Sequence, residues 1–228
     1  MFLIKSKKII FLSNPKTGTT TVQKILKNHT GDKLNRVYLD SSDSTSYVKL
    51  KEHGNVRELN EKLGLNVKDF IIFVFIRSPH DRCVSAYYFY RNGRPNRKEI
   101  TKRKLPIYFN LVLAKLLPFS LWALIKPIKC NYKYVLDNRN KISVNHVGVT
   151  SKLLIQLDQL LKFYQIEIEF DTSMKENISR RLDQEEYFKN ALFKKLFSLK
   201  YKKDIDLFNK IKKYSITNNL RGIDLKNL

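Results

Sequence analysis

Residues Ile9-Ile-Phe-Leu-Ser-Asn-Pro-Lys-Thr-Gly-Thr-Thr-Thr-Val-Gln-Lys-Ile-Leu-Lys27 decide the fold. Four apolar residues, Ile9 to Leu12, suit a buried strand; Asn14-Pro15 breaks it; Thr19, Thr20, Val22, Ile25 and Leu26 then follow at helical spacing. A strand that turns into a helix presents the helix's first N–H groups, which lack intrahelical partners, at the positive end of its macrodipole, and an anion fits there. Gly18 lets the backbone approach that anion, Lys16 adds a mobile charge, and the hydroxyls of Thr17, Thr19, Thr20 and Thr21 are expected to donate to it. The loop is not the nucleoside-triphosphatase loop G-x-x-x-x-G-K-[ST]: no glycine lies five positions before Gly18, and the lysine precedes the glycine. An ordinary ATPase or GTPase is disfavoured.

A second apolar run ends the same way. Phe70-Ile-Ile-Phe-Val-Phe-Ile-Arg77 leads into Ser78-Pro79-His-Asp81-Arg82-Cys-Val-Ser85. Ser78 suits an N-cap, Pro79 the first helical position and Asp81 the first turn. Arg77 is left at the carboxyl end of a strand, where open α/β sheets bind ligands. Arg82 and Ser85, three apart on one helix face, are expected to offer a guanidinium fork and a hydroxyl to a second phosphate. Two strand-to-helix units of this kind predict a parallel α/β sheet.

Pro15-Lys16-Thr17-Gly18-Thr19-Thr20 resembles the 5′-phosphosulfate loop of sulfotransferases that use 3′-phosphoadenosine 5′-phosphosulfate (PAPS), and Arg77-x-Pro79-x-x-Arg82-x-x-Ser85 resembles their 3′-phosphate site. His53-Gly-Asn-Val-Arg-Glu-Leu resembles the carbohydrate sulfotransferase branch, and Tyr201-Lys-Lys-Asp204-Ile-Asp-Leu-Phe208 is similar to the closing helix of small bacterial members. The resemblance implies a three-layer P-loop-type parallel sheet flanked by helices, with a helical C-terminal part. It also implies sulfuryl transfer from PAPS to a hydroxyl, with 3′,5′-adenosine diphosphate as product and no metal required. Lys16 is the expected catalytic cation and His53 the expected base, histidine being suited to proton transfer near neutral pH. His29, His80 and His146 are weaker candidates for that role. Val144-Asn-His-Val-Gly-Val-Thr-Ser-Lys152 departs from the expected Asp-x-x-Gly-Arg-Phe-Glu pattern: Val149 stands in place of the arginine and Ser151 in place of the acid.

Two rival readings survive, a nucleotide kinase-like P-loop protein and a non-catalytic basic protein binding acidic glycans or nucleic acid. Charge alone does not choose between them. With 44 Lys+Arg against 21 Asp+Glu the net charge is +23, which favours anionic partners of every kind; zinc-finger spacings and aromatic RNA-binding signatures are both missing, so nucleic acid is disfavoured. A sugar hydroxyl of a glycan is the expected acceptor, and oligomeric state is not readable.

The 228 residues, 43% hydrophobic, suit a single domain spanning 1–228, with residues 91–130 read as a polar loop (91–104) plus an apolar helical insertion. That insertion, residues 105–125, is interrupted by Asn110, Lys115 and Pro118 and flanked by basic residues, so it suits a helix pair over the sheet or acceptor, or peripheral contact with an anionic membrane, better than a membrane span. Residues 153–164 and 184–216 read as helices with lysine-rich outer faces. Cys83 and Cys130 form no metal-type pair and are expected to be reduced. The N-terminus lacks a signal-peptide stretch, and the expected location is the cytoplasm, at the inner face of the membrane if the apolar insertion touches lipid.

Overall fold

The computed structural model describes residues 2–4, 8–30, 36–38, 47–49, 55–63, 69–93, 105–126, 128, 130–172 and 184–228. Its elements in chain order are β1 (Phe2–Ile4), β2 (Ile9–Leu12), α1 (Thr19–Thr30), β3 (Arg36–Tyr38), β4 (Tyr47–Lys49), α2 (Val56–Leu63), β5 (Ile71–Ile76) and α3 (Pro79–Asn92). There follow α4 (Leu105–Leu116), α5 (Phe119–Ile125), α6 (Tyr132–Val135), β6 (His146–Val149), α7 (Leu153–Phe163), α8 (Gln184–Tyr187), α9 (Ala191–Lys200) and α10 (Lys202–Ile211). They form two compact units: Met1–Arg77 with Asn131–Glu176 and Asp206–Leu228, and Ser78–Cys130 with Asn177–Ile205.

The first unit is α/β. Its main sheet has the order β1-β2-β5-β6, with β2, β5 and β6 parallel and β1 antiparallel at the edge. β2 and β5 read as continuous apolar runs because both faces are covered. Register assigns the faces: Ile10 pairs with Ile72, Leu12 with Val74, Val74 with Val147 and Ile76 with Val149. These residues pack with Val56 and Leu59 of α2 and Leu207 and Ile211 of α10. The alternate residues Ile9, Phe11, Phe73 and Phe75 face Val22, Ile25 and Leu26 of α1 and Leu153, Leu157 and Leu160 of α7. Phe11 stacks on Phe73 at 5.1 Å, and Phe73 meets Phe75 edge-on at 6.3 Å. Gly148, opposite Phe75 in the register, makes room for that ring: an added Cβ would lie 2.6 Å from Phe75 Cδ1 and 2.8 Å from Ile216 Cδ1.

Two strands of the main sheet lie outside the sequence reading. β1 is an antiparallel edge strand, and β6 falls in the segment read only as a departure from a motif. β3 and β4 form a separate antiparallel pair.

The second unit is helical and aromatic. Tyr87, Phe119, Trp122, Phe188, Phe193, Phe197 and Tyr201 share its core with Cys83, whose thiol burial pushes well above the ordinary value. The 184–216 stretch is divided into three helices: Asn190 caps α9 by accepting from Phe193 N at 2.8 Å, and Tyr201 ends it. α5 and α9 run side by side in the same direction. Phe119 meets Phe193 near their starts at 5.8 Å, and at their ends Lys200 Nζ donates to the carbonyls of Ala123 (3.2 Å), Leu124 (2.6 Å) and Lys126 (3.3 Å). An ammonium there satisfies orphan carbonyls at the negative end of α5. Among the described residues no helix is long and apolar enough to cross a membrane.

Candidate phosphate-binding site

The first unit brings the predicted loop and Arg77 together. β2 and β5 are adjacent and parallel, so Ser13-Asn14 and Arg77 leave the sheet at the same edge. Arg77 Nη1 donates to the main-chain carbonyl of Lys16 at 3.3 Å. The loop turns through two left-handed residues, Lys16 at φ +66° and Gly18 at φ +75°. For Gly18 this conformation carries no Cβ penalty, and an added Cβ would also overlap Leu153 Cδ1. The Val22 N–H closes the first helical turn on the Gly18 carbonyl at 3.2 Å, so helix geometry directs the preceding N–H groups toward the loop's outer side.

The threonines behave differently from the expectation that all four hydroxyls donate to an anion. Thr17 Oγ1 and Thr19 Oγ1 both donate to the Asn14 carbonyl at 2.8 Å, and Thr17 is fully buried. A hydroxyl has one hydrogen to give, so while these bonds persist the two side chains shape the loop and do not donate to a ligand. Thr20, exposed in the first turn of α1, has no such tie among the hydrogen bonds described. Pro15 and Lys16 are half-buried beside it.

Asn14 and Asn131 were not legible in the sequence. Both are fully buried. Asn14 Nδ2 donates to Phe75 O at 3.2 Å and to Asn131 Oδ1 at 2.9 Å, and Asn131 Nδ2 donates to Arg77 O at 2.9 Å. The two acceptors fix the Asn14 amide orientation, because a flipped amide would set oxygen against oxygen; Asn14 Oδ1 is left buried without a partner. The chain of bonds thus runs from the threonine hydroxyls through Asn14 and Asn131 to Arg77, and from the Arg77 guanidinium back to Lys16. Thr150 Oγ1, just beyond β6, donates to Ile76 O at 3.0 Å and ties the third strand end to the same edge. The polar pair Ser13-Asn14 after a buried strand was the available signal for Asn14; nothing in Cys130-Asn131-Tyr132 marks Asn131.

Arg82 and Ser85 lie in the second unit on α3. Arg82 is 2% exposed, and its Nη1 stands 3.9 Å from Asp204 Oδ2, itself buried. A buried guanidinium is retained by such a countercharge, since the low-dielectric interior penalises it unpaired. Ser85 is half-buried. Ser78 holds the N-cap position of α3 without a side-chain cap bond, its carbonyl accepting from Arg82 N at 2.8 Å. His53 lies outside the described residues. His146 is buried in β6, with Nδ1 3.2 Å from the Asn218 carbonyl and Nε2 bonded to the Tyr164 hydroxyl. A carbonyl only accepts, so Nδ1 carries the proton and Nε2 accepts from Tyr164; burial lowers the ring's pKa. His80 is packed against Phe188 and Phe197, and burial, then Lys194, lowers its pKa.

The model described as Sulfotransferase family matches residues 1–214. The chain belongs to the sulfotransferase family. No curated protein and no solved structure matches it. Membership accounts for the α/β architecture with its parallel sheet, and it sets sulfotransfer as the reaction class.

Proposed function

We propose that this sulfotransferase family member transfers the sulfuryl group of PAPS to a hydroxyl, that of a sugar on a glycan or glycolipid. The observation that carries the reading is the meeting of Arg77 with the Lys16 carbonyl at the shared edge of β2 and β5. A ligand with one phosphate on the loop and a second within reach of the neighbouring strand end matches this arrangement, and PAPS has that distribution of charge. The residues suit it: left-handed turns at Lys16 and Gly18, the outward N–H groups before Val22, and a planar guanidinium fork at the strand end.

When bound, PAPS supplies the activated sulfuryl group. The protein's task is positioning and charge stabilisation, by analogy with phosphoryl transfer. The loop amides around Gly18 and Thr19 hold the 5′-phosphosulfate. The Lys16 ammonium offsets charge on the leaving phosphate oxygen, and Arg77 holds the 3′-phosphate. Arg82 is not assigned to it, being engaged with Asp204. His53 takes the acceptor proton in this scheme; His146 is unsuited, with both ring nitrogens occupied in the core.

Thermal shift with 3′,5′-adenosine diphosphate against 5′-AMP tests the reading. The former should stabilise the protein at lower concentration, and Arg77→Ala should erase that preference, since losing a charge-assisted contact costs about 1.5–3 kcal/mol, roughly tenfold to a hundredfold in affinity. Equal response to ATP and PAPS would favour a kinase-like protein instead. Transfer of label from PAPS to fractionated glycans, lipids or small alcohols would identify the acceptor.

A further inference from the structure

The second unit carries an apolar surface that its own core does not use. On α9, Phe193 and Phe197 are buried, yet Leu192, Leu196 and Leu199 are 67%, 42% and 64% exposed. Their spacing of four and three places them on one helix face. On α5, Trp122 and Ala123 are buried while Leu121 and Ile125, four apart, are 49% and 61% exposed. The two helices lie alongside each other, start by start and end by end. Single exposed aliphatic residues need no explanation, but five on two adjoining helices form a patch of the kind that marks an interaction surface.

Charge selects the occupant. Residues 189–203 contain Lys189, Lys194, Lys195, Lys200, Lys202 and Lys203 and no Asp or Glu, and residues 105–130 contain Lys115, Lys126 and Lys129 and no Asp or Glu. Lys195 is exposed on α9 itself, and at helical spacing it flanks the face that carries Leu192 and Leu199. A second copy of the chain would bring these lysines, on a molecule of net charge +23, against their own kind. An acidic polysaccharide or nucleic acid would meet the lysines and leave the leucines in water. A surface that accepts aliphatic side chains at shallow depth and cations around them is a bilayer with anionic headgroups.

We propose that the α5/α9 face docks peripherally on an anionic lipid bilayer, Leu121, Ile125, Leu192, Leu196 and Leu199 entering the headgroup–acyl boundary and Lys195, which flanks the leucines, meeting the headgroups. This contact relocates the apolar insertion's membrane side from the whole of 105–125 to its second helix plus α9, because Trp122, the interfacial aromatic of that insertion, is fully buried. It does not rest on the sulfuryl-transfer reading.

The test is flotation of the full chain with vesicles of phosphatidylcholine alone or mixed 1:1 with phosphatidylglycerol. Wild type should float with the mixed vesicles, at least tenfold more than with phosphatidylcholine, and lose most of that binding in 0.5 M NaCl. Leu192→Glu/Leu199→Glu, at exposed positions, should reduce binding at least tenfold with an unchanged thermal midpoint, and Lys195→Ala should reduce it severalfold. No flotation of wild type overturns the proposal, as does equal flotation of the leucine variant. A dimer in sedimentation velocity that the leucine variant dissociates would assign the face to a second copy and overturn it too.

Discussion

Replacing Asn131 by alanine tests whether the strand edge is held by its buried amides. The Asn131 side chain accepts from Asn14 Nδ2 and donates to Arg77 O, both at 2.9 Å. In Asn131→Ala the Asn14 amide keeps its 3.2 Å bond to Phe75 O, so its loss is partial, whereas the Arg77 carbonyl forfeits its Asn131 donor. A net hydrogen bond contributes about 1 kcal/mol and a buried polar group left unpaired costs about 1–3 kcal/mol, so the variant should lose about 2–4 kcal/mol. For a chain of this size that is a fall of roughly 4–16 °C in thermal midpoint. Stability alone would not separate a structural role from a site role, so the same variant is titrated with 3′,5′-adenosine diphosphate and 5′-AMP below its midpoint. If the network sets Arg77 against the loop, affinity for the bisphosphate should fall more than that for AMP, because only the former engages the guanidinium. Asn131→Asp, which keeps the acceptor for Asn14 and loses the donor to Arg77, should show the same bias. A midpoint within 1 °C of wild type, or equal loss of both nucleotides, would refute the reasoning.

Gly18→Ala should destabilise by about 1–2 kcal/mol through its left-handed φ alone, more through overlap with Leu153, and Gly18→Ala/Leu153→Ala should relieve only the overlap; urea titration of the three variants separates the two parts. Burial lowers the pKa of both His146 and His80 below 6.5, so the unfolded chain takes up protons first as pH falls through that value. Stability is therefore full above about pH 6.5 and declines below it; the slope of unfolding free energy against pH should be shallower in His146→Gln, and an unchanged slope would contradict the assignment. In thiol titration of the native protein Cys130, half-buried, should react first, while Cys83, buried and with its pKa raised, should react only on unfolding; mass spectrometry of the modified peptides decides it.

The parts of the architecture legible in the sequence were those where strand, break and helix follow one another within twenty residues. Ile9–Leu12 and Ile71–Ile76 are long apolar runs ended by Asn14-Pro15 and Ser78-Pro79, and covering both faces of a parallel strand leaves just that trace. β6 left none: four residues containing a histidine and a glycine carry no strand pattern, and their conformation follows from pairing with β5 and from the Phe75 ring over Gly148. The site divides along the same line. Lys16 and Arg77 were legible because each follows its own strand, whereas Asn131 and Asp204 act on residues far away in sequence, and spacing says nothing of such partners. Three-residue spacing puts Arg82 and Ser85 on a common side of a helix, but it does not say that Arg82 is buried beside Asp204. For Thr17 and Thr19 the sequence gives the capacity to donate, while the direction of donation, to the Asn14 carbonyl, is a property of the folded loop.

Those two hydroxyls, both clasped to the Asn14 carbonyl, fix the curvature of the loop from within. The entropy of ordering that segment is then settled during folding and need not be met again at each encounter. Swapping Thr17 for valine, which keeps the bulk and removes the clasp, would turn a ready-made mould into one each guest must shape for itself.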